Sequence, residues 1–247
     1  MRKRLSFLVC GAQKSGTTAL AAYLSEHPRI YLPKAKELHF FDDETQAWPK
    51  PDLSGLHRHF QAADADQLWG EATPISLYWD PAAERIWRYN PAIRLIVILR
   101  NPIERAYSHW SMEHHRGNDP LPFALALEQE EARCREALPL QHRIFSYVDR
   151  GFYSAQLRRL WRFFDREQVL VLRQEELRLS PQTCLNRIWQ HLSIPSRPVI
   201  TPLTRHNGCY ESDMESACRE RLRLIFWQEI GQLEHLLGWD CCDWLRS

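Results

Sequence analysis

The stretch Gly11-Ala-Gln-Lys-Ser-Gly-Thr-Thr18 decides the fold of this chain. It follows an apolar run, Leu5 to Cys10, and leads into Ala19-Leu-Ala-Ala-Tyr-Leu24, a sequence typical of a helix. A strand, a glycine turn and a helix in this order direct backbone N–H groups and a helix N-terminus at one point, where a phosphate-like anion can bind. The sequence therefore predicts an anion site at the end of the first strand.

The position of the lysine in this stretch argues against an ordinary ATPase. The two glycines have the spacing of the phosphate loop G-x-x-x-x-G-K-[ST], in which the lysine follows the second glycine. Here Thr17 occupies that position, and the lysine is Lys14, two positions before Gly16. The loop is predicted to hold an anion with a cation placed differently from that of a nucleoside triphosphatase.

The composition is that of a soluble globular protein with no obvious macromolecular target. The 247 residues carry a net charge of +1 and are 44% hydrophobic, so no overall field favours nucleic acid or an anionic membrane. No run reaches the ~18 apolar residues of a membrane span. The apolar run at Leu5 has no signal-peptide cleavage site after it. We expect neither a nucleic-acid partner nor a membrane span.

The cysteines favour a reducing compartment. There are seven of them, an odd number without a C-x-x-C pair, which predicts neither a disulfide framework nor a zinc site. Because disulfides are rare in the cytosol, we expect a cytoplasmic protein.

Three short apolar runs predict strands that are buried on both faces: Leu5–Cys10, Arg94–Leu99 and Gln168–Leu172. Helical patterns separate them. This alternation predicts an α/β fold with a P-loop-type parallel sheet flanked by helices on both faces, in a single domain over residues 1–247. The predicted helices are Thr17–Glu26, Pro81–Tyr89, Pro102–His115, Phe123–Leu138, Tyr153–Phe164, Pro181–Leu192 and about 215–237.

The second and third predicted strands are followed by Arg100 and Arg173. In a nucleoside triphosphatase, a strand of this kind often ends in an aspartate that holds magnesium. A guanidinium suits a phosphate instead, because it can donate two parallel hydrogen bonds. The alternative is an arginine that pairs with a carboxylate at the rim of the sheet, and the sequence leaves both interpretations open.

A second candidate segment is Lys34-Ala-Lys-Glu-Leu-His-Phe-Phe-Asp42. If it is extended, Glu37 and His39 point to the same face, because side chains alternate along a strand. A carboxylate and an imidazole that converge can do general-base work. For this segment alone the favoured alternative is a Lys36–Glu37 surface pair beside a histidine that covers the two phenylalanines.

Combined, five segments resemble the sulfotransferases that use 3′-phosphoadenosine 5′-phosphosulfate (PAPS). The likeness is closest to the heparan sulfate (Golgi-type) sulfotransferase domain and its bacterial relatives. Each segment alone is weak evidence, but all five occur in the order found in that family. The segments are Gly11–Thr18, Lys36–Phe41, Gly70–Pro74, Leu99–Ser108 and the stretch from Gly151-Phe-Tyr153 through Leu177.

The resemblance implies how a nucleotide is held. Lys14 would contact the 5′-phosphate and the bridging oxygen, and the backbone amides of 15–18 would cradle the phosphosulfate with the two threonine hydroxyls. Arg100 and Ser108 would hold the 3′-phosphate, which distinguishes PAPS from ATP. A late loop at 205–210 would cover the nucleotide. The implied nucleotide-binding residues are Lys14, Ser15, Gly16, Thr17, Thr18, Arg100, Ser108, Arg205, Gly208 and Tyr210.

The resemblance also implies the catalytic residues, which are Lys14, Glu37 and His39. Glu37 would take the acceptor's proton, and His39 would orient the acceptor or share the role of base. We expect no metal, because Lys14 can neutralise the charge on the leaving oxygen.

The acceptor is not defined by the sequence. Many heparan sulfate members have a lysine where this chain has Ala72. This difference favours a partly apolar acceptor, such as a lipid, a small metabolite or a carrier-bound acyl chain, over a saccharide. Neither the acceptor's identity nor the oligomeric state follows from the sequence.

Two other functions remain open at this point. A P-loop nucleotide or small-molecule kinase would require magnesium and ATP, and the position of Lys14 argues against it. A non-catalytic nucleotide-binding module would keep the pocket without the chemistry.

Overall fold

The computed structural model describes residues 3–48, 50–199 and 213–246. Within these ranges, no helix is both long and apolar enough to cross a membrane. The six cysteines in them are free thiols.

The chain forms two compact units. The first, unit 1, comprises Met1–Leu99 and Arg159–Arg205, and the second, unit 2, comprises Arg100–Arg158 and His206–Ser247. Unit 1 contains the whole β-sheet, whereas the described part of unit 2 is built from helices and loops. The prediction of one sulfotransferase domain over residues 1–247 stays a prediction.

The sheet of unit 1 has five parallel strands in the order β2-β3-β1-β4-β5. The central strand β1 is buried along its whole length, as expected for a strand covered on both faces. The predicted parallel α/β sheet is therefore confirmed. The strands are β1 Phe7–Gly11, β2 Ile30–Tyr31, β3 Leu68–Ala72, β4 Arg94–Leu99 and β5 Val169–Arg173.

Two strands, β2 and β3, were not predicted. β2 has only two residues, too few to show a pattern. β3 contains Gly70 and Glu71, both of which are depleted in strands. A Cβ on Gly70 would lie 2.0 Å from Cζ of Phe7, so only glycine allows β3 to pair beside β1 at this point.

The predicted helices all exist, and Pro102–His115 and Pro181–Leu192 have the predicted bounds. The helix that begins at Tyr153 ends at Leu160, four residues before the predicted end at Phe164. The short helices α2, α7 and α10 were not predicted. The helices are α1 Thr17–Ser25, α2 Ser54–His57, α3 Ala82–Tyr89, α4 Pro102–His115, α5 Phe123–Glu136, α6 Tyr153–Leu160, α7 Gln174–Leu179, α8 Pro181–Leu192, α9 Ser216–Leu237 and α10 Cys242–Arg246.

One face of the sheet packs on α1, α7 and α8. Phe7 and Val9 of β1 lie in the same buried cluster as Leu20 of α1, Leu177 of α7 and Ile188 of α8. Because alternate residues of β1 share a face, this core fixes the strand beneath the helix that follows it. The turn between them, which contains Lys14, is thereby held at the carboxyl end of the sheet.

Candidate active site

The anion loop, residues 11–18, is a tight turn between β1 and α1. The Ala12 N–H donates to the Ile98 carbonyl at 2.8 Å, and the Ser15 N–H donates to the Ala12 carbonyl at 3.1 Å. Lys14 has φ = +69° and Gly16 has φ = +91°, both in the left-handed region that favours glycine. These two left-handed residues turn the chain so that α1 begins at Thr17.

The anion loop fits a phosphate or sulfate group. The first N–H groups of a helix have no carbonyl partner within the helix, and α1 has no side-chain cap and no acidic residue in its first turn. The Ser15 hydroxyl is buried and has no hydrogen-bond partner among the described residues. Buried polar atoms usually have partners, and the helix end is partially positive. Since the Ser15 amide is engaged within the turn, the amides of 16–18 are the ones left to bind an anion.

Three side chains of unit 1 form a second group, which we call the acid–histidine cluster: Glu37, His39 and Asp42. Nε2 of His39 lies 3.5 Å from a carboxylate oxygen of Glu37, and Nδ1 lies 2.9 Å from Oδ2 of Asp42. The predicted convergence of Glu37 and His39 is confirmed. The extended backbone from which it was argued is wrong, because Glu37 and His39 have φ values of +50° and +53°.

Asp42 was not predicted as a site residue. Its side chain is fully buried, whereas those of His39 and Glu37 are 47% and 41% exposed. A buried carboxylate needs a charged or hydrogen-bonding partner, and His39 is one. A signal for this contact was present in the sequence, since the aspartate follows the histidine by three residues.

The two carboxylates decide the charge of the imidazole. Hydrogen bonds first to Asp42 and then to Glu37 raise the pKa of His39 to about 10, because both stabilise the protonated ring. His39 is therefore a cation near neutral pH and donates from both ring nitrogens. A protonated ring cannot act as a base, which leaves Glu37 as the acceptor of a proton in this cluster.

Two residues of the segment Gly70–Pro74, Glu71 and Thr73, form hydrogen bonds that support the cluster. Glu71 at the end of β3 is buried, and so is Thr73. The Leu38 N–H donates to Oε1 of Glu71 at 3.1 Å, and the Thr73 hydroxyl donates to the same oxygen. Burial raises the pKa of Glu71 to about 7. Neither residue was predicted to belong to the site.

In unit 2, Arg100 directly follows β4 and has an acidic neighbour. Its Nη2 lies 3.8 Å from Oε2 of Glu104, and Oε1 of Glu104 accepts a hydrogen bond from Arg219 at 2.6 Å. The pairing that the sequence left open as an alternative is thus observed. The Arg100–Glu104 distance is that of an ion pair and is longer than a direct hydrogen bond.

The fourth and fifth motifs meet in unit 2. The Tyr153 hydroxyl donates to the Arg100 carbonyl at 3.0 Å. The side chain of Asn101 caps α4 by accepting from the Ile103 N–H at 3.0 Å. Ser108 is buried two turns into α4. Tyr153 and the cap therefore fix the backbone on which Arg100 and Ser108 are carried.

The other candidate positions contribute less. Nε of Arg173 lies 3.6 Å from Glu175, which is the rim pairing considered above. Arg205, Gly208 and Tyr210 lie outside the described residues, so their roles stay predictions.

A cluster of possible metal ligands in unit 2 is explained by local hydrogen bonds. Ligand atoms of Glu234, Asp240 and Cys242 lie within 4.8 Å of one another. However, Glu234 accepts from the Cys241 N–H at 2.8 Å and Asp240 from the Cys242 N–H at 3.0 Å. These bonds organise the turn between α9 and α10 and require no metal.

Comparison with known proteins establishes the family. The model of the Sulfotransferase domain matches residues 5–209. This chain belongs to the sulfotransferase family. The resemblance inferred from five short segments is therefore confirmed, and the family match covers the anion loop, the acid–histidine cluster and Arg100.

Several similar proteins have names that refer to heparan sulfate. Human heparan sulfate glucosamine 3-O-sulfotransferase 5 is 24% identical over 195 residues, which are 77% of this chain and 54% of the relative. Human bifunctional heparan sulfate N-deacetylase/N-sulfotransferase 2 is 27% identical over 198 residues, 76% of this chain and 22% of the relative. The membrane-associated sulfotransferase kil1 of Dictyostelium discoideum is 31% identical over 128 residues, 50% of this chain and 26% of the relative. The chain thus spans about half the length of these relatives or less.

Solved structures support the same fold. A sulfotransferase from Alicyclobacillus acidocaldarius superposes with a TM-score of 0.86 and 28% identity, and all of both chains is covered. Mouse sulfotransferase SULT7A1, complexed with PAP, has a TM-score of 0.50 and 17% identity, covering 90% of this chain and 64% of that one.

Proposed function

We propose that this chain transfers a sulfuryl group from PAPS to a hydroxyl or amine of an acceptor. One observation carries the proposal. Unit 1 of this sulfotransferase-family chain contains both an anion loop with Lys14 and an acid–histidine cluster with Glu37. The first supplies a site for a sulfate donor, and the second supplies a base for the acceptor.

The proposed donor-binding residues are those of the anion loop together with Arg100 and Ser108. The anion loop, with the buried Ser15 hydroxyl and the amides of 16–18, would hold the 5′-phosphosulfate. Arg100 and Ser108 would hold the 3′-phosphate, and Arg100 has the forked geometry that phosphate recognition requires. A structural neighbour that is complexed with PAP supports this choice of nucleotide. We propose, on the family resemblance alone, that Arg205, Gly208 and Tyr210 belong to a late loop that covers the nucleotide.

The chemistry is an in-line displacement with charge building on the leaving oxygen. Bound PAPS supplies the sulfuryl group, whose bond to the bridging oxygen breaks as the bond to the acceptor forms. The Glu37 carboxylate takes the acceptor's proton, and the cationic His39 stays protonated and orients Glu37. The Lys14 ammonium stabilises the bridging oxygen as it gains charge, so the residues present supply both an acid and a base function.

The acceptor class is left open between saccharides and partly apolar molecules. Relatives named for heparan sulfate favour a saccharide, whereas Ala72 favours a lipid, a small metabolite or a carrier-bound chain. An acceptor panel run with one donor distinguishes them, and heparan-type saccharides as the fastest acceptors would overturn the apolar alternative. The cytoplasmic location also stays a prediction.

Calorimetry tests the proposed donor directly. The chain is titrated with 3′-phosphoadenosine 5′-phosphate, ADP and ATP, each with and without magnesium, and the Lys50→Ala variant serves as a matched surface control. We expect the bisphosphate to bind most tightly and without magnesium. A preference for ATP with magnesium would support the kinase alternative. Tight bisphosphate binding without transfer to any acceptor in the panel would support a non-catalytic module.

A further inference from the structure

We propose that Glu71, acting with Thr73, is a positioning residue that holds the backbone of Glu37 and His39 in the conformation in which their side chains meet. This inference rests on the proposed function for its kinetic consequences. Its structural basis lies entirely in unit 1.

The backbone of the acid–histidine cluster has to be held in place. Glu37 and His39 both have left-handed φ values, +50° and +53°, and both carry a Cβ. Residues other than glycine are strained in such conformations and persist in them only where surrounding contacts enforce them. Leu38 lies between the two, so bonds to the amides of Leu38 and His39 control both conformations.

Glu71 and Thr73 bind these two amides. Oε1 of Glu71 accepts from the Leu38 N–H at 3.1 Å and from the Thr73 hydroxyl. The Thr73 oxygen in turn accepts from the His39 N–H at 3.4 Å. One carboxyl group therefore restrains two successive amides, the first directly and the second through a hydroxyl.

The support is rigid because it comes from the sheet. Glu71 is paired with Leu8 of the central strand β1 and is only 3% exposed. Burial of a carboxyl group costs free energy unless the group is hydrogen-bonded or paired with a charge. The charged groups that act on it are Asp42 and His39 of the cluster, and its own charge acts on the buried thiol of Cys10. Both charged groups that act on Glu71 therefore belong to the acid–histidine cluster, whose backbone it restrains.

The position of Glu71 separates its role from nucleotide binding. Its hydrogen bonds go to Leu38 and Thr73 and not to the anion loop. Loss of the Glu71 carboxyl group should therefore lower turnover without weakening the binding of the nucleotide. A residue needed only for folding would affect both.

The test compares Glu71→Ala with the conservative Glu71→Gln, which keeps an oxygen acceptor. We expect Glu71→Ala to lower kcat by about 30-fold to 100-fold, the scale of a misplacement by about 1 Å. The Kd of 3′-phosphoadenosine 5′-phosphate should stay within about twofold to threefold of wild type, since the geometric effect is on the cluster. Glu71→Gln should recover most of the loss.

The pKa of His39, followed by NMR, gives a readout that needs no catalysis. In Glu71→Ala it should fall below about 10 as the ring loses Glu37, while the larger contribution of Asp42 keeps it above the ordinary value of ~6.5. If Glu71→Ala does not fold, Thr73→Val and Thr73→Ser replace it, with the serine variant close to wild type and the valine variant showing the lowered pKa. An unchanged His39 pKa in the variants that fold would overturn the proposal.

The two proposals fail in different ways. If the wild-type chain neither binds the bisphosphate nor transfers sulfate, the proposed function is wrong, and the NMR titration still tests the positioning role. If wild type is active and Glu71→Ala retains full kcat, the positioning role is wrong and the proposed function stands.

Discussion

The anion loop and the acid–histidine cluster are shaped by different kinds of contact. In the loop, Ala12 is bonded across the sheet to Ile98, but the turn itself is closed by residues only a few positions apart, such as Ser15 and Ala12. In the cluster, the backbone at 38 and 39 is held by Glu71 and Thr73, more than thirty residues away. Contacts between residues close in sequence can be predicted from a motif, whereas contacts between distant residues depend on how the strands pair. Variants should therefore separate donor binding from acceptor activation.

Lys14→Ala tests the donor side of this comparison. We expect kcat to fall at least about a hundredfold, because a positioned cation at the leaving oxygen is lost. Steady-state kinetics with PAPS measures it, and thermal unfolding shows whether the variant is folded. Lys50→Ala is the control, since Lys50 is exposed. Inactivity that comes only from unfolding would leave Lys14 without a catalytic role.

Glu37→Gln tests the acceptor side and should also lower kcat at least about a hundredfold, because an amide cannot take the proton. The Kd of the bisphosphate should not change, because Glu37 belongs to the acid–histidine cluster and not to the anion loop. Glu84→Gln, which alters an exposed i,i+4 pair with Arg88, is the matched control. Near-normal turnover would mean that Glu37 is not the base.

Arg100→Ala extends the comparison to unit 2. We expect the Kd of 3′-phosphoadenosine 5′-phosphate to rise about tenfold to a hundredfold, as for the loss of hydrogen bonds to a charged group. The Kd of adenosine 5′-phosphosulfate, which lacks the 3′-phosphate, should be nearly unchanged. Arg178→Ala, on an exposed position of α7, is the control. Equal losses for both nucleotides would mean that Arg100 does not recognise the 3′-phosphate.

Asp42→Asn has the smallest expected effect and tests the charge of the cluster. The raised pKa of His39, about 10, means that its pairing stabilises the fold fully below ~6.5 and that this contribution disappears as the pH rises through about 10. In the variant the pKa should fall, so the stability difference from wild type should be largest near pH 6 and should shrink as the pH rises from ~6.5 through about 10. Thermal unfolding from pH 6 to 10.5 measures this, and a His39 pKa that stays near 10 would contradict it.

The strands and the loop were largely predictable, and the support of the cluster was not. The apolar runs that became β1, β4 and β5 are continuous in sequence, and burial on both faces makes such runs recognisable. β3 has no such run because Gly70 fits against Phe7 and Glu71 places a carboxyl group in a buried position. Gly70 and Glu71 interrupt the hydrophobic pattern of β3, and Glu71 also supports the acid–histidine cluster.

The candidate site shows the same division. Lys14, Glu37, His39 and Arg100 were proposed from the sequence because their motifs are contiguous. The partners Asp42, Glu71, Thr73 and Tyr153 were assigned only from contacts. The sequence also suggested an extended backbone at 37–39, whereas the structure reaches the same convergence through left-handed residues.

The sequence by itself determined the parallel α/β fold, the anion loop and the family, because apolar runs, glycine spacing and motif order are local properties of the chain. Only the tertiary structure decided that His39 is a cation and that Glu71 restrains the segment around it. Both depend on carboxylates brought close by the fold, and charge and hydrogen bonding at a few ångströms are decided by distance in space.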